Sequence, residues 1–337
     1  MGWGEVGTIS LLRVSGWRVA RMKVPSDIGA VASKRVWADG LVTMRVDLLS
    51  SRKYNACSSL EWGVMAKTID QKTNIDGFPK AGELIEISGA HELEASDRAA
   101  LNILYRLAHD SGRLGEKDAE WNIPIKDLRL SSTHNSTDRV RDSLRRLMKV
   151  VVTIPFRGHD ERERVLLTHL FDFLDLPSDE ENAVTTIRFG LPRKLQPILM
   201  RSGHWGRIKS EIICAMTSKY AMQLYELIQL RANMGKSIEV FTLDQFRSKM
   251  NIPPNTYSRG HDLVKYVIEP SVLEVNGLSD MGVDIQPRRK HAKAPIYEVA
   301  VAWWRKEGND FRSALKERQR SKVGRLARLR GLVETVE

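Results

Sequence analysis

Three sets of residues in this chain have the types and spacing of recognisable chemistry. Gly2-x-Gly4-x-x-Gly7 has the letters of a dinucleotide-binding turn, in which glycines let the backbone approach a pyrophosphate. Such a turn needs a strand before it and a βαβ unit of about 30 residues around it, and neither is legible here. Gly235-Lys236-Ser237 matches the end of a phosphate-cradling loop, but the upstream glycine that loop requires would fall where Leu230 stands. Gly235 is better placed as the left-handed residue closing a helix that ends near Met234. His204-x-x-Arg207 and His159-x-x-Arg162 are pairs that a strand-cutting enzyme would combine with another arginine and a tyrosine nucleophile, and Tyr220, Tyr225 and Tyr257 are present. None of the 8 histidines forms a His-x-His metal pair, and no carboxylate set suits two-metal chemistry. Two cysteines, Cys57 and Cys214, cannot build a zinc site alone, and their usage fits a reducing cytoplasm. The expectation is a protein with no catalytic residue, no cofactor and no metal.

The remaining residues with chemical meaning are cations. The chain of 337 residues carries 53 lysines and arginines against 42 carboxylates, a net charge of +11, so a polyanion is the first partner to consider. Residues 305–330 alone hold ten basic and three acidic residues. They form a basic C-terminal tail (305–337), either a phosphate-attracting arm or a solvated terminus. No apolar run approaches the roughly 20 residues needed to cross a bilayer, so no membrane partner is expected. Residues 1–21 carry no periodic pattern; Arg13 and Arg18 interrupt any secretory stretch, and Val6 stands where a myristoylation signal wants Ser or Thr. They are expected to be a non-native or disordered extension, with Met22 as the translation start.

Residues 22–89 form a partly structured N-terminal segment, with breakers at Asn74, Gly77, Pro79, Gly82 and Gly89 and a helix expected around Leu60–Ile69. Residues 94–110 then have helical spacing, with Ser96 as the expected cap. A short strand and brief helix follow over 124–130, then a helix over 137–149 capped by Asn135. At about 100° per residue, Val140, Leu144, Leu147 and Val151 share one face, and Arg139, Arg141, Arg145, Arg146 and Lys149 spread over the other. Strands over 150–156 and 165–174 flank a charged loop. That order is the order of a winged helix, and it defines a first domain over 90–189.

The order recurs over 190–304. An amphipathic helix (218–234) is followed by a strand end and short helix capped by Thr242 (241–250), and by a helix over 258–269 stopped by Pro270. Two strands, 283–286 and 296–303, then surround a basic loop. The fold class expected is therefore α+β, two tandem winged-helix domains. A winged helix lays its third helix in the major groove, about 12 Å wide, with the hairpin on the sugar–phosphate backbone. The candidate DNA-binding residues in the first domain are Asn135, Ser136, Thr137, Arg139, Arg141, Arg145, Arg146 and Lys149. In the second they are Asn255, Thr256, Tyr257, Ser258, Arg259, His261 and Lys265, with Arg288, Arg289, Lys290 and Lys293 on the wing.

Ser218-Lys219-Tyr220-Ala221, Leu224-Tyr225-Glu226-Leu227, Thr242-Leu243-Asp244-Gln245-Phe246-Arg247 and the stretch from Tyr257 to Asn276 resemble the second winged helix of iteron-binding plasmid replication initiators. The resemblance covers about 190–303 in letters, and 90–175 agrees in pattern. It implies a sequence-specific double-stranded DNA-binding protein that grips origin repeats and helps open the duplex. It also implies recruitment of the host replication initiator and replicative helicase, and repression of its own promoter as a homodimer. Helix 257–269 and wing 288–293 would be the principal readers, with 135–149 as their counterpart. The alternatives are a winged-helix transcriptional regulator and a tyrosine recombinase-like strand-transfer enzyme using Tyr225 or Tyr257.

Overall fold

A computed structural model describes residues 7–8, 23–24, 30–32, 46–48, 77–128, 137–157, 162–176 and 186–332. Residues 1–65 and 66–337 form two separate units. In the first, β1 (Gly7–Thr8) pairs antiparallel with β2 (Lys23–Val24), and β3 (Ala30–Ala32) with β4 (Val46–Leu48). The helix expected around 60–69 lies outside the described residues.

In the second unit, β5 (Phe78–Ala81) and α1 (Gly82–Ile85) lead to α2 (Ala95–Asp110). Ser96 does not cap α2. Glu94 does, because Asp97 stands three residues on and the two carboxylates satisfy each other's backbone N–H in a capping box. After β6 (Glu120–Pro124) and a single 3₁₀ turn (Ile125–Leu128) comes α3 (Thr137–Lys149), then the hairpin of β7 (Val151–Arg157) and β8 (Glu163–His169). Val140, Leu144 and Leu147 are buried as their spacing requires. Val151 is not: it opens β7 half-exposed, and Val150 fills the core in its place.

The sheet of this half departs from the duplicated pattern. β6 pairs with β10 (Thr186–Gly190), which pairs with β9 (Phe173–Asp175), all antiparallel. Phe189 stacks on Trp121 at 5.5 Å and meets Phe171 edge-on, so aromatic packing holds this sheet to the core. The β7–β8 hairpin stands outside it, tied by a bridge between Ser88 and Thr153.

α4 (Gln196–Arg201), β11 (Trp205–Ile208), which pairs with β5, and α5 (Ser210–Ala215) lead to α6 (Lys219–Asn233). Ser218 caps α6 by accepting the N–H of Ala221, and Gly235 follows its end at φ +73°. This helix is not amphipathic. Every residue from Tyr220 to Arg231 is buried, because α6 packs on β11, α1 and α2 and also on the elements that follow it. Gly206 is needed for that closeness: a Cβ there would lie 2.8 Å from Ile85 and 3.0 Å from the backbone of Leu230.

Burying polar residues all round α6 requires partners for each. Lys80 Nζ lies 2.9 Å from both oxygens of Glu226 and donates to Asn102, whose amide also donates to Glu226. Burial pulls the Lys80 ammonium below its usual range while Glu226 pushes back. Arg98 donates to Gln223, and Arg231 pairs with Glu86 and Glu239.

The second winged helix comprises β12 (Ile238–Thr242), α7 (Leu243–Lys249), α8 (Gly260–Leu263), α9 (Glu269–Leu278), β13 (Met281–Arg289) and β14 (Ile296–Arg305), with strand order β12-β14-β13. Thr242 and Gln245 form the expected capping box. Pro270 does not stop the helix. A π turn over Val264–Ile268 joins α8 to α9 immediately before it, and that wider turn passes the residue with no N–H and a crowding ring.

The described part of the basic tail is folded, with Arg312 and Arg330 among its exposed cations. α10 (Gly308–Gln319) and α11 (Arg325–Leu329) dock on α9. Lys322 and buried Arg325 donate to the carbonyls of Cys214 and Ala215 at the end of α5, and Glu317 pairs with Arg325 and Arg328.

Candidate nucleic-acid interface

In the first winged helix, α3 is held by the buried Val140, Leu144 and Leu147 and, in addition, by charge. Asp97, fully buried at the start of α2, accepts from Nε and Nη2 of Arg146, each at 2.8 Å, and from the Ser143 hydroxyl. That bidentate bond raises the Arg146 pKa still further. Arg146 is therefore a tether between α2 and α3, a role its place in a basic run conceals. Arg145 pairs with Asp142 at 3.0 Å, both exposed. Arg139, Arg145 and Lys149 point outward, Thr137 and Arg141 are half-buried, and Asn135 and Ser136 lie outside the described residues.

In the second winged helix, apolar packing does the fixing. Leu263, Val267 and Ile268 are buried, and Arg259, His261 and Lys265 are exposed on the other side. Tyr266 is 51% exposed, and Lys265 lies over its ring at 5.2 Å. Asn255 and Ser258 are exposed, while Thr256 donates to the carbonyl of Pro253 and Tyr257 stacks on Tyr266 at 5.9 Å.

The wing divides its cations. Arg288 lies 3.5 Å from Glu298, and Arg289 closes the turn by donating to Ala294. Lys290 and Lys293 at the tip are exposed and make no ion pair among the described residues. The wing also touches α8: a Cβ at Gly260 would lie 2.9 Å from Arg289 and 3.0 Å from Ile296.

The residues singled out for strand cutting are placed differently. Tyr225 is fully buried, and burial with nearby Asp280 holds its hydroxyl well above the usual range, so it can neither reach nor attack a phosphodiester. Tyr220 is buried, and Tyr257 packs edge-on against it at 6.3 Å. His204 lies 3.9 Å from Glu83, Arg207 lies over Trp205, and His159 is outside the described residues. Among the described residues no group of three or more His, Cys, Asp or Glu is arranged to hold a metal ion. No helix among them is long and apolar enough to cross a membrane.

Two residues that matter here carry no local sequence signal. Asp97 reads as a helix-start carboxylate, and only the fold brings Arg146 to it. Arg247 reads as a surface cation in the last turn of α7, yet its guanidinium donates to three carbonyls of the turn that follows.

Comparison with known proteins finds two domain models. "Initiator Replication protein, WH1" matches residues 80–229, and "Initiator Rep protein, WH2" matches 242–299, together well over half of the chain. The first runs through most of α6, the helix whose surface serves both halves. No curated protein matches the chain. Among solved structures, the "Crystal structure of Pi initiator protein in complex with iteron DNA" is similar at 13% identity and a TM-score of 0.47, covering 68% of this chain and 97% of that one.

Proposed function

Since the chain belongs to the initiator replication protein family, with both winged-helix domains present, we propose that it binds the direct repeats of a plasmid origin and starts replication there. On this reading the two halves grip successive turns of the duplex and help open it. Bound protein then recruits the host replication initiator and replicative helicase in the cytoplasm. A homodimer represses its own promoter. The chain breaks and forms no covalent bond itself.

The observation that supports this reading most is the division of labour in the second winged helix. Leu263, Val267 and Ile268 on the helical run that starts at Gly260 are buried; Arg259, His261 and Lys265 are left outward, and Lys290 and Lys293 are exposed at the tip of the wing. A helix so arranged can enter a major groove while the wing meets phosphates.

Footprinting the full chain on DNA adjoining its gene tests the proposal. Protections repeating in one orientation, each covering about one to two helical turns, are expected. A single palindromic protection would instead make the chain a transcriptional regulator. A covalent protein–DNA adduct on supercoiled DNA would make it a strand-transfer enzyme.

A further inference from the structure

The turn between α7 and α8 carries five of the candidate readers, Asn255 to Arg259, and its backbone is unusual. Among the described residues four non-glycine residues are left-handed. Three of them fall in this one turn: Asn251 at φ +50°, Asn255 at +62° and Tyr257 at +49°. L-residues avoid that region because Cβ crowds the following carbonyl; asparagine tolerates it, and a bulky tyrosine seldom does.

The first of the three is accounted for by the end of α7. Ile252 N–H donates to the carbonyl of Arg247 and Asn251 N–H to that of Ser248, each at 3.0 Å, which is a Schellman closure with Asn251 as its left-handed residue. The other two are held by the side chain of Arg247. Its Nη2 donates to the carbonyls of Pro253 at 3.2 Å and Thr256 at 2.5 Å, and its Nη1 to that of Tyr257 at 3.3 Å. A planar guanidinium presents its donors in one rigid fork, so three acceptors bound to it are fixed relative to one another. The Tyr257 ring, packed on Tyr220 and Tyr266, pins the far end of the turn. Asn255 stands between these anchors, exposed and with no partner among the described residues. Its amide therefore keeps both a donor and an acceptor, the pair that an adenine edge accepts in the major groove.

We infer that Arg247 is the positioning residue of this interface: it sets the left-handed turn that aims Asn255 at a base, without itself meeting DNA. Backbone strain of this kind persists only where the surroundings over-determine it, and the fork of Arg247 supplies that constraint. The inference rests on the second winged helix being a sequence reader, as proposed above.

The test uses the full chain and duplexes it selects from a randomised library, alongside scrambled duplexes of the same composition. Arg247→Ala should lose about tenfold of the preference for selected over scrambled DNA, the value of one base contact. Affinity for scrambled DNA should stay within about twofold, because phosphate contacts supply it. The lost preference should fall on the same few base pairs that Asn255→Gly affects, since glycine keeps the left-handed backbone and removes the amide. Arg247→Lys, with its cation kept and its fork lost, should lose preference at those base pairs to a smaller degree; it carries the test should Arg247→Ala fail to fold. A folded variant that selects the wild-type sequence with unchanged preference overturns the role of Arg247, as does an equal fall on both duplexes. A wild-type chain that selects no sequence overturns the reader itself, a different result.

Discussion

The two winged helices divide their cations differently. In the first, α3 is docked by Val140, Leu144 and Leu147 and also by charge: buried Asp97 takes Nε and Nη2 of Arg146, while Arg145 pairs with Asp142 on the same helix. Its hairpin stands apart from the neighbouring sheet and leaves Val151, Val165 and Leu167 at least half-exposed. In the second, the helix is docked by Leu263, Val267 and Ile268, and the hairpin is locked to β12 as a three-stranded sheet. Arg259, His261, Lys290 and Lys293 make no ion pair among the described residues. A count of basic residues favours the first helix, five against three, but each internal ion pair removes a charge that could have met a phosphate. The second half is therefore the stronger candidate for both reading and salt-dependent grip.

The sharpest way to break the comparison is to separate the halves. Lys80 on β5 and Glu226 on α6 are both about 97% buried, with Asn102 of α2 bridging them. Glu226→Gln leaves an unpaired ammonium in the interior and should cost about 3–5 kcal/mol in urea unfolding. Lys80→Met combined with Glu226→Leu should recover most of that loss, because the penalty lies in the orphaned charge. If Glu226→Gln instead splits one transition into two, the halves are separable folding units and α6 does not serve both.

Asp97→Asn is next in size. It removes the charge from a group that caps α2, binds Ser143 and tethers Arg146, and should cost about 2 kcal/mol. The informative part is the sign of the binding change. Arg146 is released, so affinity for scrambled DNA should hold or rise while stability falls. A parallel loss of both would mean that the orientation of α3, and not its charge, governs DNA contact in the first half.

Much of this molecule is legible from its letters. The helices α2, α3, α6 and α7, the Thr242 cap and the glycine after α6 follow from local signals that act over three or four residues, whereas the strand expected over 165–174 divides into β8 and β9, and β10 is not among the expected strands. What was hidden depends on distant partners. The polar residues of α6 look like a solvent face until Lys80, Asn102 and Ile85 are brought against them from more than 120 residues away. Pro270 looks like a stop because a π turn has no sequence signature. The tail looks like a basic arm because three carboxylates among ten cations give no hint that α5 carbonyls receive Lys322 and Arg325. At the candidate site, burial separates His261 and Lys265 from Leu263 and Val267 as their spacing requires, whereas Arg146 and Arg247 become intelligible only from their acceptors.

The smallest effect sharpens the comparison most directly. Lys290→Ala with Lys293→Ala touches two exposed side chains and should leave stability within about 0.5 kcal/mol. If both lysines meet phosphates, the slope of log affinity against log salt should fall by about 2, near 0.9 for each charge, equally on selected and scrambled DNA. Arg145→Ala in α3 should change that slope by less than about half a unit, because Asp142 already competes for its charge. Slopes that fall equally in the two variants would mean that the first helix gives up its internal ion pair for a phosphate on binding. The asymmetry between the halves would then be a property of the free protein alone.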